Sequence, residues 1–314
     1  MEREFVKNEK MAAVIRNVEK VIIGKRSSIE LLLVAMLTGG HVLIEDVPGV
    51  GKTQMVSAVA HSCSGKFNRL QLTPDVMPSD ITGFNMIHPA TRETEFRPGA
   101  VFCNFLLADE INRSSPKTQS ALLEIMEEGQ LSMEGVTYRL PKPFMVLATQ
   151  NPVETYGTYH LPEAQMDRFL LKISMGYPEK ADELAILHRD VDALPENLSP
   201  VISCEDVEAL KQQVLQVACH ERISEYIVGI AEETRNSEYI RLGASPRASL
   251  ALYRASRAYA LLNGRSFVLP DDVKFLAPYV LSHRLVLSPR GKSVMETPEN
   301  ALEHVLRNVT VPTV

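Results

Sequence analysis

Apolar residues along this chain come in two kinds of run. Val42-Leu43-Ile44, Phe105-Leu106-Leu107-Ala108 and Phe144-Met145-Val146-Leu147-Ala148 are short and unbroken, the pattern of strands buried on both faces. Elsewhere the apolar period is that of a helix. Residues 1–20 read as an amphipathic helix with Val14, Val18 and Val21 on one side. A helix from Ser27 to about Leu37 follows, with Ser27 or Ser28 as its cap. Strands are predicted at 41–45, 66–72 and 144–149, besides the run at 105–108. A helix is predicted from Pro116 to Glu128, capped by Ser114 or Ser115 and stopped by Gly129. Strands alternating with helices predict an α/β fold around a mostly parallel sheet.

Two stretches depart from that alternation. Residues 83–102 read as an inserted hairpin, with Phe84-Asn85-Met86-Ile87 and Glu95-Phe96-Arg97 flanking a turn-rich centre. Residues 130–142 read as a second one. After Pro178 only helical periods remain, over 179–189, 204–218, 224–234, 246–262 and 271–284. The chain is therefore expected to divide into an α/β part, residues 1–178, and a smaller all-α part, residues 179–314, joined near Gly176-Tyr177-Pro178.

Composition narrows the function more than the fold. The 314 residues are 45% hydrophobic and 23% charged, ordinary values for a soluble protein. Net charge is −6, with 18 basic and 20 acidic residues through Pro178 and 15 and 19 after it. Neither part carries a general basic footprint, so nucleic acid is not the expected partner. The longest apolar run, Ile29–Leu37, is too short to span a membrane. The first twenty residues are charged and lack the apolar stretch of a secretory signal. Cys63, Cys103, Cys204 and Cys219 form no C-x-x-C pair, and free thiols in a reducing cytoplasm are expected.

The candidate chemistry lies at the ends of the predicted strands. After the first comes Asp46-Val47-Pro48-Gly49-Val50-Gly51-Lys52-Thr53. Glycines let a backbone approach phosphates, and a helix opening at Lys52 adds its positive end. Lys52 can neutralise the β- and γ-phosphates of a nucleotide, and the Thr53 hydroxyl can ligate Mg²⁺. The strict pattern G-x-x-x-x-G-K-[ST] begins with Gly, where this chain has Asp46. Asp109-Glu110 closes the second run: Asp109 can hold the Mg²⁺ shell, and Glu110 can polarise a water aimed at the γ-phosphate. Asn151, after the next strand, can hydrogen-bond that water or the phosphate. Arg168, read from chemistry alone, is a surface arginine paired with Glu163 or Asp167. Arg247 falls in the first turn of a helix capped by Ser245, an unfavourable place for a cation that hints at an anionic partner.

In this order, the motifs at 46–53, Leu106-Leu107-Ala108-Asp109-Glu110-Ile111-Asn112-Arg113, Ala148-Thr149-Gln150-Asn151-Pro152 and Glu163-Ala164-Gln165-Met166-Asp167-Arg168-Phe169 resemble the MoxR group of AAA+ ATPases. The resemblance is dense from about Val21 to Lys172 and returns at Gly243-Ala244-Ser245-Pro246-Arg247. It implies an AAA+ P-loop core followed by a helical lid. It also implies ATP and Mg²⁺ as ligands, with Pro48, Gly49, Val50, Gly51, Lys52 and Thr53 as Walker A. Asp109 and Glu110 match Walker B, Asn151 sensor 1, Arg247 a sensor 2 that would reach the nucleotide from the lid, and Arg168 the arginine finger that reaches a neighbouring subunit. Thr53 would touch the Mg²⁺ directly and Asp109 through water. Ile22, Ile23 and Gly24 resemble the segment that lines adenine. The two hairpins resemble insertions that face a pore or partners. The function implied is a cytoplasmic, Mg²⁺-dependent ATPase forming a hexameric ring of identical subunits. Its task would be chaperone-like remodelling or maturation of client proteins, including proteins with a von Willebrand factor A domain. A nucleotide-gated assembly module with slow hydrolysis is the alternative, and a DNA-dependent motor a third reading that the acidic balance opposes.

Overall fold

The computed structural model describes residues 6–47, 49–87, 92, 94–151, 157–188 and 194–313. Its strands are β1 (Val42–Glu45), β2 (Phe67–Gln71), β3 (Gly83–Ile87), β4 (Thr94–Pro98), β5 (Phe105–Asp109), β6 (Gln130–Met133), β7 (Val136–Arg139), β8 (Met145–Gln150), β9 (Leu171–Ile173), β10 (Ile240–Leu242) and β11 (Val286–Leu287). The helices before Pro178 are α1 (Glu9–Glu19), α2 (Arg26–Thr38), α3 (Lys52–Ser62), α4 (Pro78–Thr82), α5 (Pro116–Glu128) and α6 (Glu163–Met166). Those after it are α7 (Lys180–Leu187), α8 (Cys204–Val214), α9 (Glu221–Asn236), α10 (Pro246–Leu262), α11 (Pro270–Leu281), α12 (Pro289–Val294) and α13 (Pro298–Asn308).

Five strands form one parallel sheet in the order β2-β5-β8-β1-β9. Its centre is built from the unbroken apolar runs: Val42–Ile44, Phe105–Ala108 and Val146–Ala148 are all essentially inaccessible. Two-sided burial explains why these strands do not alternate polar with apolar residues. The mostly parallel sheet expected from the alternation of strands and helices is thus wholly parallel in its five strands.

The hairpins β3–β4 and β6–β7 pair antiparallel outside the sheet. They touch one another: Phe96 stacks on Tyr138 at 4.0 Å between centroids, and the Asn85 amide donates to Glu134 Oε2 at 2.7 Å. Residues 88–91 and 93, in the turn of the first hairpin, lie outside the described residues.

The helical part adds a small antiparallel ribbon, β10–β11, too short to leave a periodic signature in the sequence. Helix α9 begins at Glu221, three residues before the apolar period, because His220 caps it through the Arg222 N–H. Helix α10 packs on α2 and α11, and all three share one apolar core with the sheet. That packing brings the N-terminal half of α10 against Thr38–Gly40, where α2 ends and β1 begins.

His41, just ahead of β1, braces the sheet from inside. Its Nδ1 accepts the Val146 N–H at 2.9 Å, and its Nε2 lies 2.8 Å from the Met126 carbonyl at the end of α5, so the proton sits on Nε2. Burial pushes its pKa down to about 4, although the Met126 carbonyl favours the charged form. The unfolded imidazole titrates near 6.5. Between these values the unfolded chain binds a proton that the native protein refuses, so stability present above pH 6.5 declines as the pH falls towards 4. The loss traceable to this group is on the order of 3 kcal/mol. Urea midpoints measured from pH 7 to pH 4 should fall more steeply for the native chain than for His41→Leu. Parallel profiles would remove His41 as the cause.

Candidate functional site

Strand β1 delivers the chain to a tight loop. Gly49 and Gly51 take φ of +84° and +86° there, and a β-carbon on either would meet no protein atom within 4 Å. Backbone conformation, not crowding, therefore demands glycine at both positions. Gly51 is the N-cap of α3, and no side chain caps that helix, so the N–H groups of its first turn face a cleft. Lys52 curls back over the loop, with Nζ 3.3 Å from the Asp46 carbonyl. Val50 packs on the core cluster that also holds Ile22. Pro48 lies outside the described residues.

The cleft has a volume of about 390 Å³ and is lined by Gly49, Gly51, Lys52 and Thr53 on one side and Asp109, Glu110 and Asn151 on the other. Asp109, at the end of β5, is buried and held by two donors: Thr149 Oγ1 at 3.1 Å and Arg69 Nε at 2.7 Å. Glu110 takes a left-handed backbone, φ +57° and ψ +51°, which is uncommon for a residue with a side chain. Its N–H donates to Thr149 Oγ1 at 2.9 Å. Its Oε2 accepts from Gln71 at 2.8 Å and from Arg113 at 3.1 Å. Arg69 and Gln71 lie outside the sequence motifs, and Thr149, inside the motif that ends in Asn151-Pro152, has no role of its own assigned by it. Their signal in the sequence is a general one, polar side chains at the carboxyl end of a strand in a parallel sheet.

Asp46 departs from the glycine of the strict phosphate-loop pattern, and its surroundings give the reason. The buried carboxylate faces the chain leaving β9. Its Oδ2 accepts the N–H groups of Met175 and Gly176, the latter at 3.0 Å, and lies 3.4 Å from the Ser174 hydroxyl. Lys25 grips the same segment by its carbonyls, with Nζ at 2.7, 3.0 and 2.9 Å from the oxygens of Met175, Gly176 and Tyr177. A carboxylate and an ammonium thus clamp the connection between sheet and helical part from its two polar sides. Gly24 belongs to this corner: a β-carbon there would lie 1.9 Å from Asp182 Oδ2 on α7. Ile22 is buried and Ile23 half-buried, and neither is among the residues lining the cleft.

Arg168 and Arg247 lie elsewhere. They share a second cleft, of about 240 Å³, with Glu127, Asp167, Arg254 and Arg284. Gly39, Gly40 and His41 also line it, so it opens at the amino end of β1 while the phosphate-type loop opens at the carboxyl end. At a strand's rise the five steps from His41, in the second cleft, to Asp46, where the loop begins, span roughly 17 Å. Arg168 pairs with neither of its sequence neighbours. Asp167 is taken by Arg284, at 2.7 Å, and by the Ser245 hydroxyl, at 3.2 Å, while Glu163 pairs with Arg241 at 3.4 Å. Burial lowers the Arg284 pKa to about 10, against the pull of Asp167. Arg168 and Arg247 instead both reach Glu127, at 3.3 and 3.1 Å. The cation in the first turn of α10 thus has its counter-charge on the last turn of α5.

All four cysteines are free, Cys63 and Cys103 buried and Cys204 and Cys219 half-buried. No helix among the described residues is long and apolar enough to cross a membrane.

Comparison with known proteins agrees with this architecture. Residues 41–171 match the family model of the ATPase family associated with various cellular activities (AAA), and residues 232–305 match the AAA lid domain. The uncharacterized protein YeaC of Bacillus subtilis is 50% identical, over 95% of this chain and 93% of its own length. Chaperone MoxR1 of Mycobacterium tuberculosis is 42% identical, over 96% of this chain and 82% of its own. Protein MoxR of Methylorubrum extorquens is 31% identical, over 87% of each. The crystal structure of a candidate ATPase from Cytophaga hutchinsonii superposes with a TM-score of 0.91 at 39% identity, covering 98% of this chain and 96% of that one.

The Asp46 clamp has a direct test. Asp46→Gly supplies the glycine of the strict pattern but leaves the Met175 and Gly176 N–H groups without their acceptor. Buried donors left unsatisfied cost about 1–3 kcal/mol each. The variant should lose stability to urea by that order, and residues 175–176 should exchange their amide hydrogens faster. Unchanged stability and unchanged exchange would show that the carboxylate holds nothing.

Proposed function

The chain belongs to the MoxR family of AAA+ ATPases, and on that premise we propose that it binds and hydrolyses ATP with Mg²⁺ as a head-to-tail hexameric ring. Its work in the cytoplasm is to remodel or mature client proteins. The observation that carries the reading is the position of the two clefts at opposite ends of β1. A transferred phosphoryl group spreads negative charge over its oxygens and needs cations from several directions. One subunit supplies Lys52 at the loop, but its own Arg168 and Arg247 open towards the far end of the sheet. A heterologous contact that sets one subunit's arginine cleft against the next subunit's phosphate cleft completes the site, and repetition of that contact closes a ring.

Within the cleft each residue has a distinct role. The loop N–H groups and Lys52 bind the phosphates. Thr53 and Asp109 offer hard oxygen donors fitted to Mg²⁺, Asp109 through water. The phosphates of the nucleotide would complete the coordination that these two oxygens begin. The ion, when bound, supplies charge neutralisation at the β- and γ-phosphates. Glu110, oriented by Gln71 and Arg113, accepts the proton of the attacking water. Asn151 orients that water or the γ-phosphate. Arg168 and Arg247 of the neighbour stabilise the charge that develops during transfer.

The hairpins support a protein client. Phe84, Ile87 and Val136 stand 49%, 67% and 51% exposed on β3, β3 and β7, and the Asn85–Glu134 contact joins the two hairpins into one unit. Proteins bearing a von Willebrand factor A domain are the client class that the family resemblance suggests. The acidic balance of both parts favours protein over nucleic acid.

Lys52→Ala should abolish ATP binding in calorimetry while the chain stays folded, and Glu110→Gln should bind ATP with little turnover. Native ATP affinity in the first variant, or native turnover in the second, would contradict the assignment.

Arg168→Ala and Arg247→Ala should each bind ATP and hydrolyse it slowly, Arg168→Ala by a factor of roughly 10³ or more. Mixed with Lys52→Ala subunits, either should regain turnover, because an intact pocket then sits beside intact arginines. Confirmed mixed rings without recovery would place both arginines in cis.

A further inference from the structure

The carboxylate between the two arginines belongs to neither of their elements. Glu127 stands on the last turn of α5, Arg168 follows α6, and Arg247 opens α10. We infer that Glu127 is a positioning residue for hydrolysis in the neighbouring subunit: it holds Arg168 and Arg247 together so that both guanidinium groups meet one phosphate. The inference rests on the proposal that these arginines act in trans, and adds the residue that sets their geometry.

Each carboxylate oxygen takes one arginine. Oε2 lies 3.3 Å from Arg168 Nη2 and Oε1 lies 3.1 Å from Arg247 Nη1. A guanidinium has five N–H donors, so most of each fork remains for a phosphate. Two like charges brought this close would otherwise drive each other apart, and two long side chains would sample many rotamers. One bridging carboxylate removes both difficulties.

Stability of the fold does not account for the arrangement. The side chains are 41%, 30% and 47% exposed for Glu127, Arg168 and Arg247, and ion pairs so exposed contribute little to folding. The neighbouring Arg284 shows the contrast: it is buried, paired with Asp167, and donates to the Phe169 carbonyl at 2.7 Å. That pair is structural and leaves Glu127 as the counter-ion of Arg168.

Charge separates a positioning role from a plug. With Asp167 and Arg284 cancelling, the cleft still holds Arg168, Arg247 and Arg254 against Glu127. Arg254 follows Arg247 by seven residues, two turns along the same face of α10. The cleft therefore stays positive with Glu127 in place, and a phosphate can enter without expelling it.

The test uses assembled full-length protein. Glu127→Gln keeps the shape and removes the charge. It should leave ATP affinity and KM unchanged and lower kcat roughly 10- to 100-fold, the range that misplaced catalytic groups produce. Mixing with Lys52→Ala subunits, which carry an intact Glu127 and both arginines, should restore turnover. If Glu127→Gln fails to assemble, Glu127→Asp keeps the charge, moves it by one methylene, and should show a smaller drop with the same rescue. Native kcat in the Gln variant, while Arg168→Ala is inactive and rescued by Lys52→Ala, would overturn the role of Glu127 and leave the trans reading standing. A Glu127 defect that Lys52→Ala cannot rescue, beside an Arg168 defect that it can, would place Glu127 in its own pocket and also overturn the inference. Failure to rescue Arg168→Ala in confirmed mixed rings would overturn the trans reading, and this inference with it.

Discussion

Strand β1 is hydrogen-bonded on both edges, to β8 and to β9, and its apolar side chains are buried on both faces. A strand so enclosed can neither slide nor tilt without breaking two ladders and opening the core. Everything of chemical interest hangs from its two ends. At the carboxyl end the enclosed backbone has to emerge abruptly, and the glycine loop and α3 begin there. At the amino end, His41 bonds to β8 and to the end of α5, fixing the floor of the arginine cleft. The distance between the clefts is thus set by the one element that has least freedom to change.

The helical part is tied to that strand through a short connection held by opposite charges. Asp46 takes the N–H groups of residues 175 and 176, and Lys25 takes the carbonyls of residues 175–177. A peptide segment that cannot pair with a strand usually turns to water. Here it has been given one acceptor side chain and one donor side chain. The acceptor is part of the phosphate-type loop itself, so the loop and the connection share one carboxylate.

Much of this was legible in the sequence wherever the cause is local. The buried strands show as unbroken apolar runs, α5 shows its Ser-Pro start and Gly stop, and the loop at 46–53 and the Asp109-Glu110 pair declare their chemistry by residue type. What the sequence hid depends on partners far along the chain. Nothing near Asp46 says that its acceptors serve Met175 and Gly176. Arg168 has two acidic neighbours, and both turn out to be engaged by other arginines, Asp167 by Arg284 and Glu163 by Arg241. Glu127 is one of three glutamates in the last turns of α5, and only the packing of α10 on α2 singles it out. The ribbon β10–β11 is too short to carry any period at all.

Helix α5 begins within a few residues of Glu110 and ends at Glu127–Glu128, a rod of 13 residues and roughly 20 Å. One end follows Glu110 of the subunit's own pocket by six residues, and the other carries Glu127 beside the arginines that, in the proposed ring, serve the next. Every subunit would then be wired the same way round, its own pocket leading to its neighbour's on one side and never on the other. Such a ring has a sense of rotation written into its chemistry: clockwise and anticlockwise are different journeys, and a sequence of hydrolysis events can have an order without any external clock.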